Sequence, residues 1–436
     1  MRDLLPGDVS KKGVVIGVIR DLMTSYGYGE VETPTLEPLE LVSAKVGEEI
    51  RHRMYVFQDL GGRSVALRPE VTSSIARLVA TKLKTAAKPL RLAYIANCFR
   101  YDNPQLGRFR EFWQAGFELI GSPYPEADGE VLSISNNFMK RLGFKDYHIT
   151  IGHMNVVGGL LDEEGVSDDI KKTILSLIDK GRHDRAVSIL SKKKASPRCL
   201  MTIKKLFRLR GRNAARVLHD GKVVMRDFLK SVKAIEELEE ILGLLHEAKV
   251  IVNLGMARGL EYYTGMIFEV YVPGVKVALN GGGRYDHLIE LFGGDKCPAV
   301  GCSIGIDRVV MAMEFKGLFE DWKRIMVKRP FTYIVSLDPK LNKVAIKLCE
   351  KLRGEGIPTQ AEVMRRSLKR VLSDLSRKGV PIAILVTPSE AKENKFVVRF
   401  MVEGVQKILS SEKLIETVKS FHRVSSPFKD LSKCRG

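Results

Sequence analysis

The chain has 436 residues, 44% hydrophobic and 28% charged. That balance excludes extended disorder, and the length suits two or three domains. The sequence shows no run of 18 apolar residues, no secretory signal and no CxxC pair among six cysteines, so it predicts neither a membrane span, a disulfide scaffold nor a zinc ribbon, and a reducing cytoplasm is expected. The net charge of +19 is segregated. Residues 171–230 carry 18 Lys and Arg against 4 Asp and Glu, and residues 331–436 carry 21 against 11. The remainder is mildly acidic. A polyanion touching two basic modules fits this map. Nucleic acid fits better than a membrane, because no amphipathic anchor accompanies the charge. A generally basic, soluble protein would account for the total but less well for its segregation.

Along the chain, apolar spacing predicts an amphipathic helix over 11–26. An extended stretch with Pro34 and Pro38 follows, then a hairpin over 54–68 with its turn at Asp59–Gly62. Residues 70–84 fit a helix, and 90–100 and 110–120 fit two strands around a polar loop. Helical periodicity with most of the basic excess marks 159–250 as a helical insertion. Strand character returns over 266–280. A glycine run follows, then a strand-to-helix transition over 298–314. After Pro330 strands and helices alternate, predicting a small α/β domain with a parallel core.

The most informative segment is FRYDNPQLGRFREFWQAGFE, residues 99–118. Alternation along a strand puts Arg110, Phe112, Gln114, Gly116 and Glu118 on one face. Glu111, Trp113, Ala115 and Phe117 take the other. The first face offers an aromatic platform for a base, arginine for phosphates, and an amide and acid for an amine. A solvated edge hairpin is the plainer alternative. ARGLEYYTG (257–265) is either a charged site or a turn whose tyrosines pack in the core. The glycines of NGGGRYD (280–286) allow either close ligand approach or a tight turn. In AVGCSIGIDRVVMAM (299–313), Arg308 falls in a helix's first turn, against the dipole, which suits an anionic partner; a simply exposed arginine is the other reading. No GxGxxG or GxxxxGK[ST] motif is present, and the histidines show no metal-ligand spacing.

Together these segments resemble class II aminoacyl-tRNA synthetases, specifically the histidyl-tRNA synthetase family, over nearly the whole chain. Residues 99–121 resemble its motif 2, RGLEYYTG and NGGGRYD its two histidine signatures, VGCSIGIDR its motif 3, RPEVT (68–72) a substrate-gripping segment, and the Pro34 region its dimer-interface motif 1. Glu261 stands where Asp is frequent, and YDNPQ replaces a commoner HER or YER, which leaves the role of Asp102 open. The class I motifs HIGH and KMSKS are only echoed.

The resemblance implies an α+β fold. Its parts would be an antiparallel class II sheet of six or seven strands with flanking helices, a helical insertion over the tRNA acceptor arm, and a C-terminal α/β anticodon-binding domain. The implied boundaries are 1–158 and 251–325 for the catalytic core, 159–250 for the insertion and 331–425 for the anticodon-binding domain. It implies ATP-dependent ligation of L-histidine to tRNA(His) through a histidyl-adenylate. A non-catalytic paralogue, the regulatory subunit of ATP phosphoribosyltransferase, is the alternative. By the resemblance, Arg100 and Arg258 are catalytic. Glu70, Thr72, Arg100, Gln114, Glu118, Arg258, Tyr262 and Tyr263 bind histidine. Arg100, Arg108, Phe112 and Arg308 bind ATP, and Gln105 contacts tRNA. ATP would arrive with Mg2+, with no prosthetic group and no protein metal site. A cytoplasmic homodimer is implied.

Overall fold

The computed structural model describes residues 2–43, 48–103, 107–258, 262–320, 322 and 330–425. The chain divides into two compact units after Asp321.

The first unit is built on a nine-stranded sheet. Its six central strands run antiparallel in the spatial order Leu90–Phe99, Glu111–Ile120, Ala299–Gly305, Asn280–Arg284, Met266–Tyr271 and His148–His153. Short strands extend both edges. Gly29–Glu30 and Val250–Asn253 pair in parallel, and Arg210–Gly211 closes the far edge. The sheet is thus wider than the six or seven strands expected, and mixed at its margins. The additions are two to four residues long, too short to leave a period in the sequence.

Helices cover one face. Helix Pro6–Tyr26 starts with Pro at its first position, where no N–H is needed, and ends at Gly27 in the left-handed region, φ 71°. Its buried residues Val14, Val15, Val18, Ile19, Leu22 and Met23 form one stripe. Helix Pro125–Arg141 carries Glu126 and Asp128 in its first turn and Lys140 and Arg141 in its last, matching its dipole. Asp128 and Arg284 form an ion pair that is almost wholly buried and ties this helix to the sheet.

The predicted hairpin forms as Val56–Gln58 and Ser64–Leu67, and Leu36–Pro38 adds a third strand. Asp59 holds the turn by accepting from the N–H groups of Gly61 and Arg63. Between 154 and 243, apart from the short edge strand Arg210–Gly211, the chain forms helices Met154–Glu163, Asp168–Asp179, His183–Lys192, Pro197–Leu206, Ala214–Met225 and Leu229–Gly243. Ile174, Leu190, Cys199, Ile203, Leu206 and Leu238 are each fully buried there. Ser196 and Asn213 cap two of these helices with their side-chain oxygens.

In the second unit five strands lie in the order Thr359–Ala361, Thr332–Ser336, Ile382–Val386, Lys395–Phe400, Val405–Ser410. The first three are parallel, as expected. The last two are antiparallel. Strand Val405–Ser410 was not foreseen. It is a largely exposed edge, and its apolar residues Val405, Ile408 and Leu409 do not alternate with polar ones. The tail beyond residue 425 lies outside the described residues.

Candidate active site

The central hairpin pairs Phe99 with Glu111 and Leu90 with Ile120, and Ala299–Gly305 joins its free side. Alternation divides most of its side chains as the sequence predicts, although Trp113 also touches the cleft and Arg110 does not. Phe112, Gln114 and Glu118 line a cleft of about 1400 Å3. On the opposite face Phe117 meets Tyr28 edge-on at 5.2 Å, and Lys12 lies 3.9 Å from the Trp113 ring. Two glycines make room in the cleft floor. A Cβ on Gly116 would run into the Tyr94 ring, and one on Gly301 into the Glu118 carboxylate.

One end of the cleft holds acids and hydroxyls among aromatic rings. Glu118 is 1% exposed and accepts hydrogen bonds from Thr72 Oγ1 at 2.9 Å and from the Tyr285 hydroxyl. Burial pushes its carboxyl up to about 8, against the pull of those two donors. Glu70 accepts from the N–H groups of Thr72 and Ser73 at 2.6 and 3.0 Å, where helix Thr72–Thr81 begins. The Tyr262 and Tyr263 rings lie 4.8 Å apart, and Tyr262 meets Tyr285 edge-on at 5.7 Å. Gln114 Oε1 accepts from Cys98 Sγ at 3.3 Å.

The other end is cationic. Arg100 donates from Nε to the Pro69 carbonyl at 2.8 Å, and its guanidinium lies 5.2 Å from the Phe112 ring centroid. Arg308 donates to the carbonyls of Gly107 and Ala278, both at 3.1 Å. Burial lowers the pKa of Arg308, and the charges of Arg100 and Arg108 lower it further. Asp102 and Glu269 offset this in part, and Asp102 itself pairs with Arg53 at 2.8 Å. Three arginines crowded with so little compensating carboxylate favour a polyanionic ligand, which relieves their repulsion. Arg258 also lines the cleft, 5.6 Å from the Tyr263 ring centroid. Its Nη1 reaches Glu269 and the Phe268 carbonyl, each at 3.0 Å. Burial opposes its charge, but Tyr263, Glu269, Asp179 and Tyr262 together raise the pKa.

All the sequence-predicted histidine- and ATP-site residues therefore line one cleft: Glu70, Thr72, Arg100, Arg108, Phe112, Gln114, Glu118, Arg258, Tyr262, Tyr263 and Arg308. Gln105 and Glu261 lie outside the described residues. Three local readings change. Arg110 is absent from the cleft lining and stacks on Tyr101 at 4.1 Å. The start of helix Ile306–Phe315 is compensated by Asp307, which accepts from Trp113 N–H and Arg2, while Arg308 is held by carbonyls. The glycine run is a strand and not a turn. A Cβ on Gly281 would strike the Arg258 guanidinium, so the close approach there is by a side chain of the chain itself.

Sequence reasoning missed Tyr94, Tyr285 and Glu269 as cleft residues. Tyr285 stood in the quoted NGGGRYD signature, but its reach to Glu118 depends on the glycines forming a strand. Glu269 could have been found from strand alternation, since it faces Gly281 in the register. His153 is structural: its Nδ1 accepts from Asn155 N–H at the start of a helix.

A histidyl-tRNA synthetase family model matches residues 1–309, and an anticodon binding domain model matches 332–421. A histidine–tRNA ligase from Methanocaldococcus jannaschii is 41% identical over 417 residues, covering 95% of this chain and 97% of that protein. A solved structure from Bacillus halodurans, described as an ATP phosphoribosyltransferase regulatory subunit/histidyl-tRNA synthetase, is 27% identical with a TM-score of 0.73, covering 86% of this chain and 94% of the other. A histidyl-tRNA synthetase structure from a Nostoc species, 22% identical, shares the fold at a TM-score of 0.75 over 96% of this chain and 97% of its own. With its arginine cluster and its buried acid in one cleft, the chain belongs to the histidyl-tRNA synthetase family.

Proposed function

We propose that this chain ligates L-histidine to tRNA(His) in two steps within the cleft. In the first, a carboxylate oxygen of histidine attacks the α-phosphorus of ATP. The bond to the β-phosphate oxygen breaks, giving histidyl-adenylate and pyrophosphate. In the second, a ribose hydroxyl of the terminal adenosine of tRNA attacks the adenylate carbonyl and AMP leaves. The observation that carries this reading is the make-up of the cleft: buried Glu70 and Glu118 among hydroxyls and tyrosines, the mutually repelling Arg100, Arg108 and Arg308, and Arg258 paired with Glu269, all lining one cleft.

Glu70, Thr72, Gln114 and Glu118 would take the amino group and imidazole, with Tyr262 and Tyr263 shaping the ring pocket. Arg100 and Arg258 would hold the carboxylate and α-phosphate as charge develops between them, which is electrostatic rather than covalent catalysis. Arg108 and Arg308 would hold the distal phosphates, with Phe112 and Arg308 about the adenine. Mg2+ would enter on the triphosphate, a mode that needs only one or two protein carboxylates. Glu269 and Asp102 are carboxylates of the cleft lining.

The chain is read as a catalytic core of 1–158 and 251–325, an insertion of 159–250 and an anticodon-binding domain of 331–425. A homodimer is supported by the exposed Leu36, Val56, Phe57 and Leu60 about the small three-stranded sheet. A cytoplasmic site of action follows the synthetase reading. Among the described residues, no helix is long and apolar enough to cross a membrane. The test is attachment of labelled histidine to tRNA by the purified chain. The proposal expects ATP-dependent charging; histidine binding without any charging would favour the regulatory-subunit alternative.

A further inference from the structure

The first residues of the chain reach the nucleotide end of the cleft, and nothing in the proposed reaction uses them. Helix Pro6–Tyr26 opens at Pro6, and the Leu5 N–H donates to the Asp8 carboxylate at 3.0 Å, which fixes where the chain leaves the helix. One turn further on, Lys11 pairs with Glu314 at 2.6 Å. Glu314 and Asp307 are seven residues apart on helix Ile306–Phe315, about two turns, so they share one face. The arm of residues 2–5 lies at the other end of that face, where Arg2 Nη2 donates to Asp307 Oδ1 at 2.8 Å. Residues 2, 3 and 5 are exposed and Leu4 is half-buried, so little apolar burial holds the arm. Its fixed point is Arg2.

Arg2 engages two groups at once. Its guanidinium lies 3.9 Å from the Phe109 ring centroid, and the other oxygen of its partner Asp307 accepts from the Trp113 N–H at 2.6 Å. A guanidinium suits this double role, because its face meets a ring while its edge donates to a carboxylate. Arg308, the next residue of the same helix, donates to the Gly107 carbonyl at 3.1 Å. Residues 107–113 are thus gripped at Gly107, Phe109 and Trp113. Lys12 supports the same stretch, 3.9 Å from the Trp113 ring. Arg108, which is exposed, stands between two of the gripped residues, and Phe112 stands beside the third.

The Arg2 side chain is 44% exposed, and ion pairs so exposed add little to global stability. Its effect is therefore local. Arg2 is also absent from the cleft lining, whereas Phe109, Asp307, Arg108 and Phe112 all belong to it. Resting on the ATP site proposed above, we propose that Arg2 is a positioning residue for ATP. Through Phe109 and Asp307 it holds segment 107–113 so that Arg108 and Phe112 meet the nucleotide already in place. Ordering these side chains before binding removes a cost that binding would otherwise bear.

The test uses the full chain and the variants Arg2→Ala, Arg2→Lys, Phe109→Ala and the Arg2→Ala/Phe109→Ala double variant. Histidine-dependent ATP–pyrophosphate exchange without tRNA gives the KM of each substrate, and calorimetry gives the Kd of ATP. In Arg2→Ala the KM and Kd of ATP should rise about fivefold, the size of having to immobilise one rotamer-rich side chain on binding. The KM of histidine and the melting temperature should stay near those of the parent, which a merely structural role for Arg2 does not predict. Arg2→Lys keeps the charge and should fall between the parent and Arg2→Ala. Because Arg2 acts in part through the Phe109 ring, the rise in the double variant should be smaller than the product of the two single rises. An ATP KM in Arg2→Ala within about 1.5-fold of the parent would overturn the assignment, as would equal rises for ATP and histidine, or single effects that simply multiply. If the parent chain shows no histidine-dependent exchange, the proposed function fails, and the Kd of ATP in the parent and in Arg2→Ala still decides the role of Arg2.

Discussion

Replacing Glu118 by Gln tests the acid end of the cleft on two readouts. The carboxyl sits at about 8 in the folded chain, against an ordinary value of 4.5, because burial penalises its ionised form. Between those two values the folded state binds the proton more tightly than the unfolded state. Stability therefore falls as pH rises from 4.5 to 8 and is unaffected by this group outside that window. The gap corresponds to roughly 5 kcal/mol as an upper bound. Gln cannot ionise, so the variant should gain in Tm relative to the parent as pH rises from 5 to 8.5, by several degrees. Binding moves in the opposite sense. A cationic substrate group needs Glu118 ionised, so below pH 8 histidine must displace a proton. The apparent Kd of the parent chain should improve about tenfold per pH unit from 6 to 8, then level off. The ratio of variant to parent Kd cancels the titration of histidine itself. That ratio should be near one at pH 6 and rise towards pH 8.5. Calorimetry at four pH values with thermal melts in the same buffers measures both. Parallel Tm profiles together with a pH-independent Kd ratio would refute the reasoning.

Other outcomes follow from the same geometry. Arg258→Ala should lower pyrophosphate exchange by 100-fold or more, since losing one preorganised cation at developing charge costs about 3 kcal/mol; steady-state rates within tenfold of the parent would contradict this. Asp128→Ala should cost about 3 kcal/mol or more of stability, because it breaks a buried ion pair with Arg284 whose partners are 4% and 0% exposed; denaturant unfolding measures it. Reversing Lys192, Lys193 and Lys194 to Glu, all exposed, should weaken tRNA binding and flatten its salt dependence while the KM for histidine stays unchanged. Equal affinity at two salt concentrations would remove these lysines from the tRNA surface.

Much of the cleft was legible because its chemistry follows strand alternation. Once 110–120 is a strand, Phe112, Gln114 and Glu118 must share a face, and the structure places all three on the cleft. Helix Pro6–Tyr26 was legible for a similar reason, one apolar stripe with Gly27 at its end. What failed to show were features set by tertiary contact. Gly281, Gly282 and Gly283 carry no side chains to alternate, so a strand and a turn look alike in sequence; pairing on both sides decides it. Arg308 was judged by its place on a helix, but two backbone carbonyls from distant segments hold it. Alternation puts Glu118 on the binding face, but the sequence alone does not show how completely it is buried. Its raised pKa comes from burial, which outweighs the hydrogen bonds it accepts from Tyr285 and Thr72, residues far away in sequence.

The central claim is that one cleft joins a histidine pocket to an arginine-lined nucleotide site. It is tested most directly by exchange of labelled pyrophosphate into ATP without tRNA, run with histidine and with each other amino acid in turn. The account predicts exchange that depends on histidine and is all but abolished in Arg258→Ala. No exchange with histidine, or equal exchange with unrelated amino acids, would contradict it.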